Sequence, residues 1–225
     1  MKLRYFAHSA FGITTNKGEH LLIDPFLDGN PNSPVKSDQV KADYILLSHA
    51  HGDHFGDTLK IAKKQNSLVI CVNELAEYCA SRGLRAHNMH IGGSYKFSFG
   101  KVKFTIAHHG SITPDNHFAG PAAGILLFIE DKIIYHTGDT GLFYDMKLIG
   151  EMNKIDVMLC PIGDNFTMGI EDAVKAVEFV NPKMVIPIHY NTFEVIENNP
   201  LKFKEDVDKM NVNCRVLEYG EEIDI

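Results

Sequence analysis

With 225 residues, the chain is long enough to bury one large hydrophobic core. Its formal net charge of -7 and the lack of any dense Lys/Arg run weigh against a nucleic-acid surface, although bound divalent cations would offset part of that charge locally. No apolar stretch approaches the roughly 20 residues of a membrane span, and the start Met1-Lys2-Leu3-Arg4-Tyr5-Phe6 turns polar too soon for a secretory signal, so a cytoplasmic protein is expected.

Residues 2–6, 11–15 and 20–23 are short β-rich runs, the last two joined by the turn-like Asn16-Lys17-Gly18-Glu19. Asp24-Pro25-Phe26 and the Pro- and Asn-rich residues 29–34 read as loop. Residues 44–47 form a short apolar strand that runs into a histidine-rich segment. Residues 58–66 have helical character, 68–72 form a strand, and Asn73 suits the N-cap of a helix over 74–81. Residues 94–99 and 102–108 alternate like a hairpin about Gly100, and 124–130 and 133–136 flank a tight Asp131-Lys132 turn. A helix over 145–153, a strand over 157–160, an amphipathic helix over 170–180, a buried strand over 184–188, a helix over 201–211 and a closing strand over 214–217 complete the chain. Strands interleaved with helices in both halves predict two mixed sheets packed face to face with helices outside, in one domain over residues 1–225. Cys71, Cys79, Cys160 and Cys214 are scattered without a C-x-x-C pair and read as reduced, buried thiols.

The strongest chemical signal is Ser48-His49-Ala50-His51-Gly52-Asp53-His54, directly after a predicted strand. In an extended segment alternate residues share a face, so His49 and His51 can reach one cation, and a turn at Gly52 aims Asp53 and His54 at a neighbouring position. A solvated histidine-rich turn is the bland alternative, but crowding imidazoles and a carboxylate costs free energy with no structural return. Further candidates stand at strand ends in His108-His109-Gly110-Ser111, His136-Thr137-Gly138-Asp139-Thr140 and Ile188-His189-Tyr190-Asn191. Each alone is weak. Together with the histidine cluster they point to one cleft.

These motifs resemble those of the metallo-β-lactamase superfamily, in order: Asp24, the HxHxDH string His49–His54, His109, Asp139 and His189. The resemblance implies a four-layer αββα sandwich and two divalent ions, zinc or manganese with iron as an alternative. It assigns His49, His51 and His109 to the first ion, Asp53, His54 and His189 to the second, and Asp139 to both, with Asp24 orienting the histidine loop. His108 competes with His109; the resemblance favours His109, which precedes Gly110-Ser111, and β-alternation turns His108 to the opposite face. The strings His8-Ser9-Ala10-Phe11, Asp24-Pro25-Phe26, Met89-His90-Ile91-Gly92-Gly93, His136-Thr137-Gly138-Asp139-Thr140 and residues 161–168 are similar to one bacterial and archaeal branch, predicted metal-dependent hydrolases related to ascorbate-6-phosphate lactonase.

The implied reaction is hydrolysis of a small lactone, ester or phosphoester by a metal-bridging hydroxide, with Asp53 orienting that hydroxide and accepting its proton. His8 reads as a substrate-facing proton donor or oxyanion partner, with a supporting hydrogen bond as the plainer alternative; for His136 the supporting role is the expectation. Asn165, in the loop before the helix over 170–180, with backbone N–H groups could hold an anionic group, or the loop merely shapes and caps that helix. Cys160 reads as a core thiol. The diiron redox branch of the fold usually has Glu at the place of His51, which argues against redox chemistry. A phosphodiesterase or nuclease of the same fold, and a non-catalytic metal-binding module, are the competing readings. Small-molecule substrate, no nucleic acid and no membrane are the expected partners, and a homo-oligomer stays open.

Overall fold

In the computed structural model, which describes residues 1–225, the first half of the chain builds one sheet and the second half another. Strands β1 (Lys2–Ala7), β2 (Ala10–Thr14) and β3 (His20–Ile23) form an antiparallel meander, which β4 (Tyr44–Leu46), β5 (Leu68–Val72) and β6 (Arg85–Met89) extend in parallel. Helices α1 (Gly52–Phe55), α2 (Thr58–Gln65) and α3 (Asn73–Ser81) fill the crossovers. In the second sheet β7 (Ser94–Phe97), β8 (Gly100–Ile106), β9 (Ala123–Ile129) and β10 (Lys132–His136) are antiparallel. Then β11 (Val157–Pro161), β12 (Met184–Ile188) and β13 (Asn213–Cys214) run parallel, connected through α4 (Asp145–Met152), α5 (Ile170–Val180), a 3-10 turn at Glu194–Ile196 and α6 (Pro200–Asp208). The last strand, β14 (Glu222–Asp224), returns to pair with β1, so each sheet has seven strands. These are two mixed sheets flanked by helices, as expected.

Period-2 alternation divides the apolar side chains between two layers. On β9, Ile125, Leu127 and Ile129 join a core of 43 buried residues that fills the space between the sheets and continues under α2 and α3, whereas Leu126 joins a second core of 19 under α4, α5 and α6. β11 splits likewise: Val157 and Leu159 face the other sheet, and Met158 and Cys160 face the helices. Helix α5 buries Ala173, Ala176, Val177 and Val180, the i, i+3, i+4, i+7 stripe that its sequence shows.

Several boundaries differ from expectation. Asn73 is the first residue of α3, not its cap; its side-chain amide is engaged with Glu77 and Asn88 instead. The β6 segment Arg-Ala-His-Asn-Met carries no apolar alternation because it is a half-exposed edge held by its backbone pairing to β5. The closing strand predicted over 214–217 shrinks to Asn213–Cys214, since the chain then leaves to reach the other sheet, where Gly220 N–H donates to Tyr5 O at 2.8 Å. The helix predicted over 201–211 starts at Pro200, after Asn199 Oδ1 accepts from Leu201 N–H, and ends at Asp208.

All four cysteines are free and buried, and burial pushes the Cys71 and Cys160 thiols well up and Cys214 to about 12. Thiolate is the reactive form. A thiol-disulfide indicator at pH 8 is therefore expected to leave the native protein unlabelled for hours and to titrate four thiols after denaturation; rapid native labelling would contradict this burial.

Candidate metal centre

The strand carboxyl ends of both sheets meet along one edge, and the chemically active residues sit there. Asp24 follows β3, the segment Ser48–His54 follows β4, His109 lies beyond β8, Asp139 beyond β10 and His189 directly after β12. Holding side chains inward at these exits demands unusual backbone: Asp24 has φ 45°, His189 φ 53° and His8, in the turn between β1 and β2, φ 58°. Such conformations cost energy in non-glycine residues and persist where surrounding structure enforces them.

Two neighbouring groups of donor atoms result. His51 Nδ1 lies 3.0 Å from His49 Nε2 and 3.2 Å from His109 Nε2. Tetrahedral nitrogen ligands on a zinc-sized ion stand about 3.3 Å apart, so this triangle fits a shared cation. Next to it, His54 Nε2 is 3.1 Å from Asp139 Oδ1, and His189 Nε2 is 2.9 Å from Asp139 Oδ2 and 3.7 Å from Asp53 Oδ2. His54 Nε2, Asp139 Oδ1 and His189 Nε2 are nevertheless buried without a hydrogen bond of acceptable geometry. Buried polar atoms are normally paired. Side chains that crowd together yet fail to bond one another are arranged around something else, and nitrogen and carboxylate oxygen suit a divalent metal. His49, His54 and Asp139 also approach within 4.8 Å of one another, which makes Asp139 the link between the groups.

Asp24 organises this cluster from behind. Its Oδ1 accepts from Ser48 N–H at 2.8 Å, and its Oδ2 accepts from Ser48 Oγ at 2.6 Å and from His54 Nδ1 at 2.8 Å. A carboxylate only accepts, so His54 must carry its proton on Nδ1 when neutral and present a bare Nε2. Ser48 has spent its hydroxyl proton on Asp24, so at 3.0 Å it accepts from His49 Nδ1, and His49 Nε2 is bare as well. Ser48 escaped the sequence reading, because nothing marks a serine before a histidine string as a hydrogen-bond link until its neighbours are in place.

Metal-free electrostatics add a consequence. Burial holds His49, His51 and His109 below the ordinary imidazole range, neutral and ready to ligate. Burial would also lower His189, but the Asp139 and Asp53 carboxylates raise it to about 9. His54 is likewise raised by Asp139 and Asp24 against the effect of burial. A cation must displace these protons, so metal uptake should release protons below about pH 9 and apparent affinity should increase with pH. In stripped protein the raised His189 stabilises the fold fully below about pH 6.5 and loses that contribution as pH rises through 9. Calorimetry in buffers of different ionisation enthalpy measures the release; proton-neutral uptake at pH 7 would contradict it.

His8 is fully buried, its Nε2 3.1 Å from Asp53 Oδ2 and its Nδ1 2.9 Å from Thr192 Oγ1. Burial and the neighbouring His189 push it down to about 4, so it is neutral, donating from Nε2 to the carboxylate and accepting the Thr192 hydroxyl. Of the two roles open to His8 from sequence, these contacts favour the supporting hydrogen bond, to Asp53, and Thr192 is a partner that the sequence did not reveal. His136 is also buried, donating from Nε2 to Ser9 O at 3.1 Å and accepting from Gly138 N–H at 3.0 Å. It ties the turn before Asp139 to the β1–β2 turn. Gly138 there has φ 64°, and an added Cβ would meet Ala123 O at 2.6 Å. His108 stacks on Phe143, ring centroids 5.0 Å apart, and is not among the converging donors, whereas His109 is. Asn165 is exposed at φ 45°, outside the converging group; its loop touches the centre through Met168 N–H donating to Thr140 O and through Gly163, packed against the His189 carbonyl. The helix that follows has Gly169 at its N-cap.

Donors gathered where two sheets of a sandwich present their strand ends are the layout of a metallo-β-lactamase-fold hydrolase. Residues 19–190 match the family model described as a beta-lactamase superfamily domain. A UPF0173 metal-dependent hydrolase from Bacillus cereus is 54% identical over 228 residues, covering 99% of each chain. The chain therefore belongs to the beta-lactamase superfamily, among its UPF0173 metal-dependent hydrolases. Among solved structures, Igni18, a metallo hydrolase from Ignicoccus hospitalis, matches with a TM-score of 0.91 and 35% identity over 99% of this chain and 97% of that one. An isothiocyanate hydrolase from Delia radicum gut bacteria shares the fold, with a TM-score of 0.77 and 19% identity over 100% and 99% of the two chains.

Proposed function

We propose that this protein is a binuclear hydrolase of small lactones, esters or phosphoesters. The observation that carries the reading is the set of buried, mutually crowded but unbonded atoms around Asp139, next to the histidine triangle. His49, His51 and His109 would hold one divalent cation, Asp53, His54 and His189 a second, and Asp139 would serve both. Bound in this way, a pair of cations supplies Lewis acidity and lowers the pKa of water to near 7. The chain's own residues do the rest. His49, His54, His189 and Asp139 are sealed from solvent, whereas the Asp53 side chain is 26% exposed and so faces the cleft. Burial would raise its carboxyl, but the His189 imidazole 3.7 Å away and the hydrogen bond from His8 hold it far below the carboxylate range. It is therefore an anion at neutral pH, placed to accept a hydrogen bond from an attacking water and to orient it. His8 fixes the rotamer of Asp53, and Thr192 fixes His8.

Elemental analysis of protein purified without chelator tests the reading. About two transition-metal ions per chain are expected, zinc or manganese, after reconstitution if necessary; a stoichiometry near zero even then would sink it.

A further inference from the structure

We propose that the substrate is an uncharged ester or lactone whose apolar group lies on the Phe26–Phe193 pair, beside the Asp53 side of the centre. This narrows the hydrolase reading above and rests on it. The first observation is the absence of cations where an anionic substrate would need them. The segments that carry the site residues are 8–9, 24–35, 47–59, 107–122, 137–146, 162–174 and 189–201, and none contains Lys or Arg. They do contain Asp28, Asp57, Asp115, Asp164, Glu194 and Glu197. Of the cations just outside them, Lys60 pairs with Asp28 at 2.7 Å and Arg82 with Asp115 at 2.5 Å, Lys36 donates to the Asp28 backbone carbonyl at 3.2 Å, and Lys147 lies over the Tyr144 ring. Recognition of a phosphoryl or carboxylate group rests on Arg, Lys or clustered N–H donors. Segments whose charged side chains are acids, with no Lys or Arg among them, disfavour such a group through their field.

The second observation is what the mouth offers instead. The Phe26 and Phe193 rings lie 5.9 and 5.6 Å from the His8 ring and 6.4 Å from each other. Phe193 remains 39% exposed, so the pair is open at the surface one residue contact away from Asp53. Across the centre, on the His51 side, Ile112 and Phe118 face each other in a β-bridge at 43% and 76% exposure. Their hairpin is anchored by Ser111 Oγ, which accepts from Ala50 N–H at 3.2 Å. Scattered exposed aromatics are ordinary on a protein surface; two apolar pairs flanking one polar centre, in loops without a cation, form a recognition surface for apolar groups.

γ-Lactones that differ only in the substituent, phenylethyl, methyl or phosphomethyl, test this with the metal-loaded enzyme. The kcat/KM values should fall in that order, with roughly fourfold gained per buried methylene and a further 10–10³-fold lost to the phosphate. Phe193→Ala should flatten the difference between phenylethyl and methyl. Saturation-transfer NMR with the phenylethyl lactone gives a second readout, independent of turnover: the phenyl protons should receive the strongest saturation, and lose it in Phe193→Ala. A preference for the phosphomethyl lactone, or turnover of bis(p-nitrophenyl) phosphate with no lactone hydrolysed, would overturn the inference while leaving the hydrolase reading intact. No turnover of any substrate with phenyl saturation retained would count against the hydrolase reading and for the binding surface; no saturation of the phenyl group in the wild type would overturn the inference outright.

Discussion

Asp53→Ala is expected to lower kcat/KM by roughly 10²–10⁴-fold, the loss typical of removing a group positioned for proton transfer. It should also reduce metal content, because the same carboxylate belongs to the His8, Asp53, His54 and His189 group of potential ligands. Two roles in one residue make it the most damaging single change at the cleft surface. His8→Ala is the informative partner. It leaves the remaining donors untouched but frees Asp53 Oδ2 from its 3.1 Å hydrogen bond. Metal content should stay near the wild-type value while kcat falls by less than in Asp53→Ala. Kinetics and elemental analysis on both variants decide the matter: equal metal content and equal rates in Asp53→Ala and the wild type would remove Asp53 from the mechanism.

Asp24→Ala is expected to damage the fold and the centre together. Its carboxylate accepts three buried hydrogen bonds, from Ser48 N–H, Ser48 Oγ and His54 Nδ1. Deleting the acceptor strands all three donors, and breaking a buried charged contact of this kind costs about 3–5 kcal/mol. The tautomers of His54 and His49 are then no longer imposed, and metal affinity should fall roughly 10–100-fold, as for other partners that orient metal-bound histidines. Asp24→Asn separates shape from charge. Asn tolerates the left-handed backbone at φ 45°, but it places an amide N–H₂ against donors. Thermal unfolding should show most of the destabilisation in Asp24→Ala and a smaller part in Asp24→Asn. Wild-type melting and metal titration in the alanine variant would show that Asp24 does not organise the site.

The local sequence was sufficient for elements whose periodicity is strong: the stripe of α5, the apolar runs of β9, β11 and β12, and the histidine string after β4. Each depends on contacts within a few residues, where side-chain spacing and backbone geometry are tightly linked. The sequence also carried the superfamily motifs, and hence the expectation that His109, Asp139 and His189, far apart in the chain, would meet His49–His54. It could not supply β6 or β14, since polar edge strands are defined by the backbone they pair with. Nor could it decide the office of His8. A histidine in a tight turn after β1 can face solvent, substrate or protein, and only the packing of that turn against Asp53 and Thr192 buries both ring nitrogens. The same holds for Ser48, which becomes a hydrogen-bond link between Asp24 and His49 because β3 and β4 end side by side and bring Asp24 behind it. Donor identity is written in the residues; tautomer, burial and direction arise from the three-dimensional arrangement, because hydrogen bonding and desolvation depend on neighbours distant in sequence.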